Sequence, residues 1–423
     1  MDQLEPLSRR LLASAAAARC GLLLAPQPLP HEACDIPGIF NVAVPEDAAN
    51  AWQTVSGAVG LTREAAVAGA IGEGLERLAA AQVRVPLRSR RQLGAAEHID
   101  ASAFALFSDA PRASPDFPWS HRPADDDGFA TVYRLADNRP VWVPQECVGL
   151  GPRSGEARFP STSSGLAAHR DAADGPWLAL LRAAQEVLER DALTVTWVNG
   201  LGGREIALPA DWRNAVARLG GEARAFDLTQ QWNPHPVIAV AGSVQSEGRW
   251  RHVLGIACRA TVAEAAQKAA LEWAQSLSFA GFMLRHRGAQ LPAEPAQLRR
   301  FDEHAAFYTV RPELWPRTAL LAHRAPLERR EERVPPTAPA DQLTQLQRAL
   351  AGEGIDLYYR ELTTPDVAAA GVRVMRVLSP QLSLLHADER APFLGGRTRD
   401  VDWRYPGARR HTAFPNPLPH PLG

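Results

Sequence analysis

Lysine is almost missing from this chain: of its 46 basic residues only Lys268 is one, and all the others are arginine. A Walker A phosphate loop needs Gly-Lys-Ser/Thr, yet Lys268 lies in AAQKAALEWAQ with no glycine beside it. The protein-kinase set, which needs a strand lysine and a D-F-G motif, is incomplete as well. A nucleotide bound here is therefore held outside both common schemes. Cysteine is scarce: Cys20, Cys34, Cys147 and Cys258 show no C-x-x-C spacing, so neither a zinc site nor a disulfide framework is signalled. There is no H-E-x-x-H and no G-x-S-x-G elbow. Gly149-Leu150-Gly151 opens like a dinucleotide fingerprint, but the third glycine, Gly155, falls one place late and Pro152 spoils the helix start. No apolar run reaches the ~18 residues of a spanning helix. A net charge of −1 sets up no field that would draw nucleic acid or an anionic membrane. Neither is expected as a partner, and a cytoplasmic location is expected.

What the chain does have, it has twice. GEGLERLA carries Glu73, Glu76 and Arg77, and QEVLERDA carries Glu186, Glu189 and Arg190. Residues three apart share one face of a helix, so each stretch presents two carboxylates side by side with an arginine adjoining. Like charges at that spacing are unfavourable unless a cation sits between them. Two such stretches point to four carboxylates converging on a divalent ion, and hard oxygen ligands suit Mg²⁺ holding a nucleotide's phosphates. The competing reading of a single E-x-x-E-R is a solvated helix face. Both stretches, however, lie in alanine- and leucine-rich runs, Glu64 to Ala81 and Trp177 to Trp197, which turns the carboxylates inward. Lys268, four residues before Glu272, either supplies a compact cation to the same site or survives by chance in an arginine-favouring genome.

Three alanine-rich helices are expected at about 62–82, 175–198 and 261–285. Strand-like segments lie between them: Ala130–Leu135, Val141–Val143, Pro236–Ala241 and His252–Ile256. This alternation predicts an α/β (α+β) domain with helices packed on sheet. Residues 286–345, rich in proline and charge, read as surface connections with short helices. Between Leu357 and Leu378 two strands flank TTPDVAAAG, where Pro365 and Asp366 suit a helix start and Gly371 its end. The arginine- and proline-rich tail after Asp388 reads as extended, with a disordered linker as the default. The expected division is an N-terminal extension over 1–55, a catalytic domain over 56–400 and a proline-rich tail over 401–423.

The block STSSGLAAHRDAADGPWLALLRAAQEVLERDAL, Ser161 to Leu193, resembles the signature of the YcaO family, in which a Ser-Ser/Asn-Gly-x-Ala turn precedes a helix bearing E-x-x-E-R. GAIGEGLERLA is similar to that family's first carboxylate helix and AAQKAALEWAQ to its third. TTPDVAAAGVRVMRVLSPQL and the ending FPNPLPHPLG, with its P-x-P-x-P, resemble the azoline-forming members. The resemblance covers roughly residues 55 to 423. It implies a YcaO-like fold with helices on sheet around a nucleotide site. The implied activity is ATP-dependent cyclodehydration of Cys, Ser or Thr in a ribosomally made peptide. By the same resemblance Glu73, Glu76, Glu186 and Glu189 coordinate Mg²⁺. Arg77 and Arg190 meet phosphate or orient those carboxylates, Lys268 and Glu272 complete the ATP site, and Ser164 and Gly165 form a turn beside it. Pro417, Pro419 and Pro421 order the active site, with His420 handling protons. The N-terminal 55 residues are too short for an adenylating-enzyme-like domain. A separate leader-binding partner (E1-like, or a peptide-recognition element) is therefore expected, and an FMN-dependent dehydrogenase that oxidises azolines can accompany it. The alternatives are a thioamide- or amidine-forming enzyme of the same family, or a non-catalytic scaffold, which would be expected to have lost some of the acidic residues.

Overall fold

A computed structural model describes residues 11, 14–16, 21–45, 55–109, 113–119, 128–150, 165–326 and 334–423. The three alanine-rich runs form its three long helices, α1 (Arg63–Gln82), α2 (Gly175–Val198) and α3 (Val262–Arg287). α1 and α3 begin alike. The side chains of Thr62 and Thr261 accept from the backbone N–H groups of Ala65 and Glu264, and Glu64 and Glu264 place negative charge in the first turn. α1 buries Ala66, Val67, Ala70, Ile71, Gly74 and Leu75, a stripe at helical spacing. α2 is buried on nearly every side, as its leucine and alanine content requires.

The described strands form three antiparallel sheets, which places the fold at the α+β end of the expected class. A three-stranded sheet has the order Gln27–Pro28, Phe40–Pro45, Val55–Gly60. A four-stranded sheet has the order Arg249–Cys258, Val237–Ser246, Glu222–Asp227, Glu205–Ile206. The largest runs Leu87–Ser89, Gly128–Arg134, Tyr358–Glu361, Val372–Leu378, Leu166–Arg170, and Pro140–Pro144 also pairs onto Gly128–Arg134. Three edge strands, Val55–Gly60, Leu166–Arg170 and Arg249–Cys258, contribute residues to one cavity of about 1660 Å³. The carboxylate helices pack against these strands: α1 on the first two, α2 on the second and third, and α3 on the third. Close approach is built in at Gly255, where an added Cβ would lie 2.1 Å from the backbone nitrogen of Trp273 in α3.

Two expectations need correction. The expected boundary at residue 55 falls inside a hairpin, because Phe40–Pro45 pairs with Val55–Gly60 along its whole length. Val42 and Val44 share a core with Ala66, Ala70 and Ile71, so the strand Phe40–Pro45 of the expected extension belongs to the same domain. The tail is not a loose linker. Prolines carry no N–H, so its carbonyl groups are what packing has to satisfy. Trp197 Nε1 donates to the carbonyl of Leu418 at 2.9 Å, and Tyr308 Oη donates to that of Pro419 at 2.6 Å. Further in, the fully buried pair Arg404–Asp191, at 2.6 Å, fixes the start of the tail to α2.

Gly255→Ala should push α3 off its strand and lower stability by about 1–3 kcal/mol, the usual cost of overpacking. A denaturant midpoint equal to that of the wild type would contradict this close contact.

Candidate active site

The cavity is lined by Glu73, Glu76, Glu186 and Glu189, and by Arg77, Arg190, Lys268 and Glu272. One arrangement holds all four carboxylates of the repeated motif. Each gives one oxygen to a backbone N–H on an edge strand. Glu73 Oε2 accepts from Gly57 at 2.8 Å, Glu186 Oε2 from Leu166 at 2.9 Å, Glu76 Oε2 from Ala168 at 3.0 Å and Glu189 Oε2 from Cys258 at 3.1 Å. Leu166 and Ala168 are two apart on one strand, so their N–H groups leave the same edge, and helices α1 and α2 each take one. The second oxygens of Glu73 and Glu186 accept from Arg77 at 2.6 Å and from Arg190 at 3.3 Å. Lys268 pairs with Glu272 across one turn of α3. Gln275, farther along α3, donates to the carbonyl of Gly57 at 2.9 Å and ties that helix to the first sheet.

The electrostatics follow from the packing. Burial pushes the Glu73 carboxyl up, against the pull of Arg77. Glu76 is pushed well up by burial and then by the charges of Glu186 and Glu73. Glu189 is pushed up to about 7 by burial, with Arg190 opposing and Glu186 reinforcing. Burial would raise Glu272 too, but Lys268 brings it below the ordinary value. A wall of carboxyl groups that resist ionisation, at a site rich in arginine, fits a ligand bringing both cationic and anionic charge. Among the described residues no three His, Cys, Asp or Glu side chains are already gathered as a metal cage. Mg²⁺ ordinarily takes one or two carboxylates plus phosphate oxygens and water, so the donor set fits an ion delivered with a polyphosphate.

The other expected residues lie elsewhere. Ser164 falls outside the described residues. Gly165 sits at φ +74°, and an added Cβ would lie 2.0 Å from the carbonyl oxygen of Val377, so it shapes the entry to the Leu166–Arg170 strand. Of the tail, Leu422 and Gly423 line the cavity; Pro417, Pro419, His420 and Pro421 stand behind them. His420 stacks on His304 with ring centroids 4.0 Å apart, its Nε2 lies 2.6 Å from the carbonyl of His386, and its Nδ1 accepts from the N–H of Leu422 at 3.3 Å. Burial, together with His304 and His386, holds its pKa well below the usual range. With both nitrogens engaged by backbone, His420 is a neutral anchor here rather than a proton carrier. Four cavity arginines were not singled out in the sequence, Arg170, Arg182, Arg259 and Arg300. Arg182 was within reach of spacing, since it precedes Glu186 by one turn on the same face. Arg259 had no local signal, because it enters from the loop between a strand and α3.

Residues 57–383 match the model of the YcaO cyclodehydratase family, described as ATP- and Mg²⁺-binding. The chain belongs to the YcaO family. ATP and Mg²⁺ are its cofactors. No curated protein matches it. Among solved structures, a heterocyclase in complex with substrate and cofactor aligns with a TM-score of 0.77 at 18% identity over 98% of this chain, which spans 57% of that one. YcaO from Methanopyrus kandleri, bound with AMPPCP and Mg²⁺, aligns with a TM-score of 0.61 at 18% identity, covering 85% of this chain and 86% of that one. The E. coli microcin synthetase McbBCD complex follows at 0.58 and 15% identity, covering 93% of this chain and 98% of the matched one. These likenesses establish the YcaO fold. No described helix is long and apolar enough to cross a membrane.

The sign of the pH dependence follows from Glu189. Its folded pKa is raised to about 7. The stability it contributes is thus present below the unfolded value of about 4.5 and lost as pH rises through the folded value. Cation binding needs the ionised form. The rise in unfolding temperature on adding Mg²⁺ with a non-hydrolysable ATP analogue should therefore be larger at about pH 8 than at about pH 6. Equal shifts at the two pH values would contradict the carboxylate assignment.

Proposed function

We propose that this YcaO protein is the ATP-dependent cyclodehydratase subunit of a peptide-modifying system, converting Cys, Ser or Thr of a ribosomally made precursor to thiazoline or oxazoline. The observation that carries the proposal is the single cavity in which four buried carboxylates, paired cations and the end of the proline-rich tail meet. In the reaction the substrate's thiol or hydroxyl loses its proton and adds to the preceding carbonyl carbon. The carbonyl oxygen then takes the terminal phosphoryl group of ATP, releasing ADP. That oxygen departs as phosphate while the former amide nitrogen loses its proton and forms the ring C=N bond. Mg²⁺, when bound, offsets the charge of the phosphates.

The chain's own residues position and neutralise, which is most of what phosphoryl transfer requires. Glu73, Glu76, Glu186 and Glu189 present oxygens to the ion from edge-anchored positions. Arg77 and Arg190 keep Glu73 and Glu186 oriented, and Lys268 and Glu272 complete the nucleotide side. Leu422 and Gly423 close one wall and limit water at the reacting centre. Pro417, Pro419 and Pro421 with His420 hold that wall in place. The placement of the tail favours ring formation over thioamide or amidine formation, and four housed carboxylates favour an enzyme over a scaffold. Partners follow from the same reading: a precursor peptide, an E1-like or recognition-element protein that binds its leader, and in some settings an FMN-dependent dehydrogenase. The E. coli microcin synthetase was solved as the McbBCD complex, also with pro-MccB17 bound, which supports a partnered enzyme.

Glu189→Gln should lower ATP turnover on the order of 100-fold or more while far-UV circular dichroism stays unchanged. Turnover equal to the wild type would remove the acidic-site assignment. Mass spectrometry of a Cys- and Ser-rich precursor, incubated with this protein, its partner and Mg-ATP, should show loss of one water per ring. An oxygen-to-sulfur gain when sulfide is supplied would favour the thioamide reading, and an unchanged peptide with no ATP consumed would favour the scaffold.

A further inference from the structure

The cations of the cavity divide into two kinds. Arg77, Arg190, Lys268 and Arg300 each lie against a carboxylate, namely Glu73, Glu186, Glu272 and Asp302. Their charge is already matched. Arg170, Arg182 and Arg259 form no ion pair with any described residue, and of these Arg170 is exposed to water whereas Arg182 and Arg259 are half-buried. Arg182 Nη1 donates to Gln185 Oε1 and Arg259 Nη1 donates to the carbonyl of Cys258, both at 2.6 Å. These are neutral partners, and each leaves most of a guanidinium fork without a match. Both side chains are half-buried in the wall of the same cavity. Burial, and then the neighbouring charge of Arg259, pull Arg182 down to about 10. Two guanidinium groups that repel each other and are partly removed from water are unfavourable until an anion arrives.

The position of the pair says which anion. Arg182 is one turn before Glu186 on α2. Arg259 directly follows Cys258, whose N–H holds Glu189, and its charge acts on both Glu189 and Glu272. The pair thus adjoins the carboxylates that would hold the metal-bound phosphates. His169 lines the same cavity within electrostatic reach of Arg182. Planar guanidinium forks match the tetrahedral oxygens of a phosphoryl group two at a time.

We infer that Arg182 and Arg259 form the binding site for the terminal phosphoryl group, as the last phosphate of ATP before transfer and as free phosphate after release. The inference rests on the nucleotide reading above and shifts its cations: Arg77, Arg190 and Lys268 act on the carboxylates, while Arg182 and Arg259 act on the phosphate. The pair would grip the departing group and leave the ADP portion to the other wall.

The test is nucleotide binding by calorimetry, which needs no peptide turnover. Arg182→Met and Arg259→Met should each weaken binding of AMPPCP with Mg²⁺ roughly 10–100-fold, the scale of a lost charge-assisted hydrogen bond, and leave ADP with Mg²⁺ within about twofold. Inorganic phosphate added to the wild-type ADP complex should bind, and should fail to bind either variant. Should a Met variant lose its fold by circular dichroism, Arg182→Lys and Arg259→Lys replace it, with a smaller loss for AMPPCP and the same indifference to ADP. Equal losses for ADP and AMPPCP, or no loss for either, overturn the inference while the proposed function stands. A wild-type protein that binds neither nucleotide overturns both.

Discussion

The site depends on a hydrogen bond of one kind repeated four times: a glutamate on a helix accepting from an unpaired N–H at the edge of a sheet. Edge strands carry donors that have no partner within their own sheet, and such donors are costly if buried unmet. Here Gly57, Leu166, Ala168 and Cys258 supply them from three different sheets, and Glu73, Glu186, Glu76 and Glu189 meet them. The same bond thus satisfies an edge and fixes the direction of a carboxylate. Moving a sheet or helix by a fraction of an ångström would misdirect the second oxygen, which is why close contacts such as Gly255 against α3 belong to the function as much as to the core.

This arrangement stores unfavourable charge. Burial keeps Glu73, Glu76 and Glu189 reluctant to ionise, and Arg182 and Arg259 lie partly buried without an ion-pair partner among the described residues. The two excesses are opposite in sign and lie along one cavity wall. A magnesium polyphosphate brings the complement of both, so its binding offsets the two excesses together. The tail adds a third constraint. Its carbonyls are bound by Trp197 from α2 and by Tyr308 from the helix Phe301–Val310, so two separate helices must be in place before Leu422 and Gly423 close the cavity.

The long helices were legible because their signals are local: alanine- and leucine-rich runs, and glutamates three apart. The strands around TTPDVAAAG were legible for the same reason, with Gly371 at φ +80° ending the short helix as expected. What joins these parts was not legible. Nothing near Glu189 in sequence announces the N–H of Cys258, and nothing in the tail announces Tyr308. The strand Phe40–Pro45 escaped notice because its partner, Val55–Gly60, lies beyond a stretch with no sharp turn signal. His420 carried the right residue type for proton transfer, but stacking on His304 and two backbone contacts give it another role. Side-chain chemistry can be listed from sequence, whereas the direction a side chain faces is set by partners far along the chain.

The central claim is that the edge-anchored glutamates hold the metal of a bound nucleotide. The most direct measurement is anomalous diffraction from a crystal containing Mn²⁺ and a non-hydrolysable ATP analogue. The account predicts a metal peak within inner-sphere distance of at least two of Glu73, Glu76, Glu186 and Glu189, with phosphate oxygens completing its shell. A peak held by other residues, with these four still bound only to their amides and arginines, would contradict it.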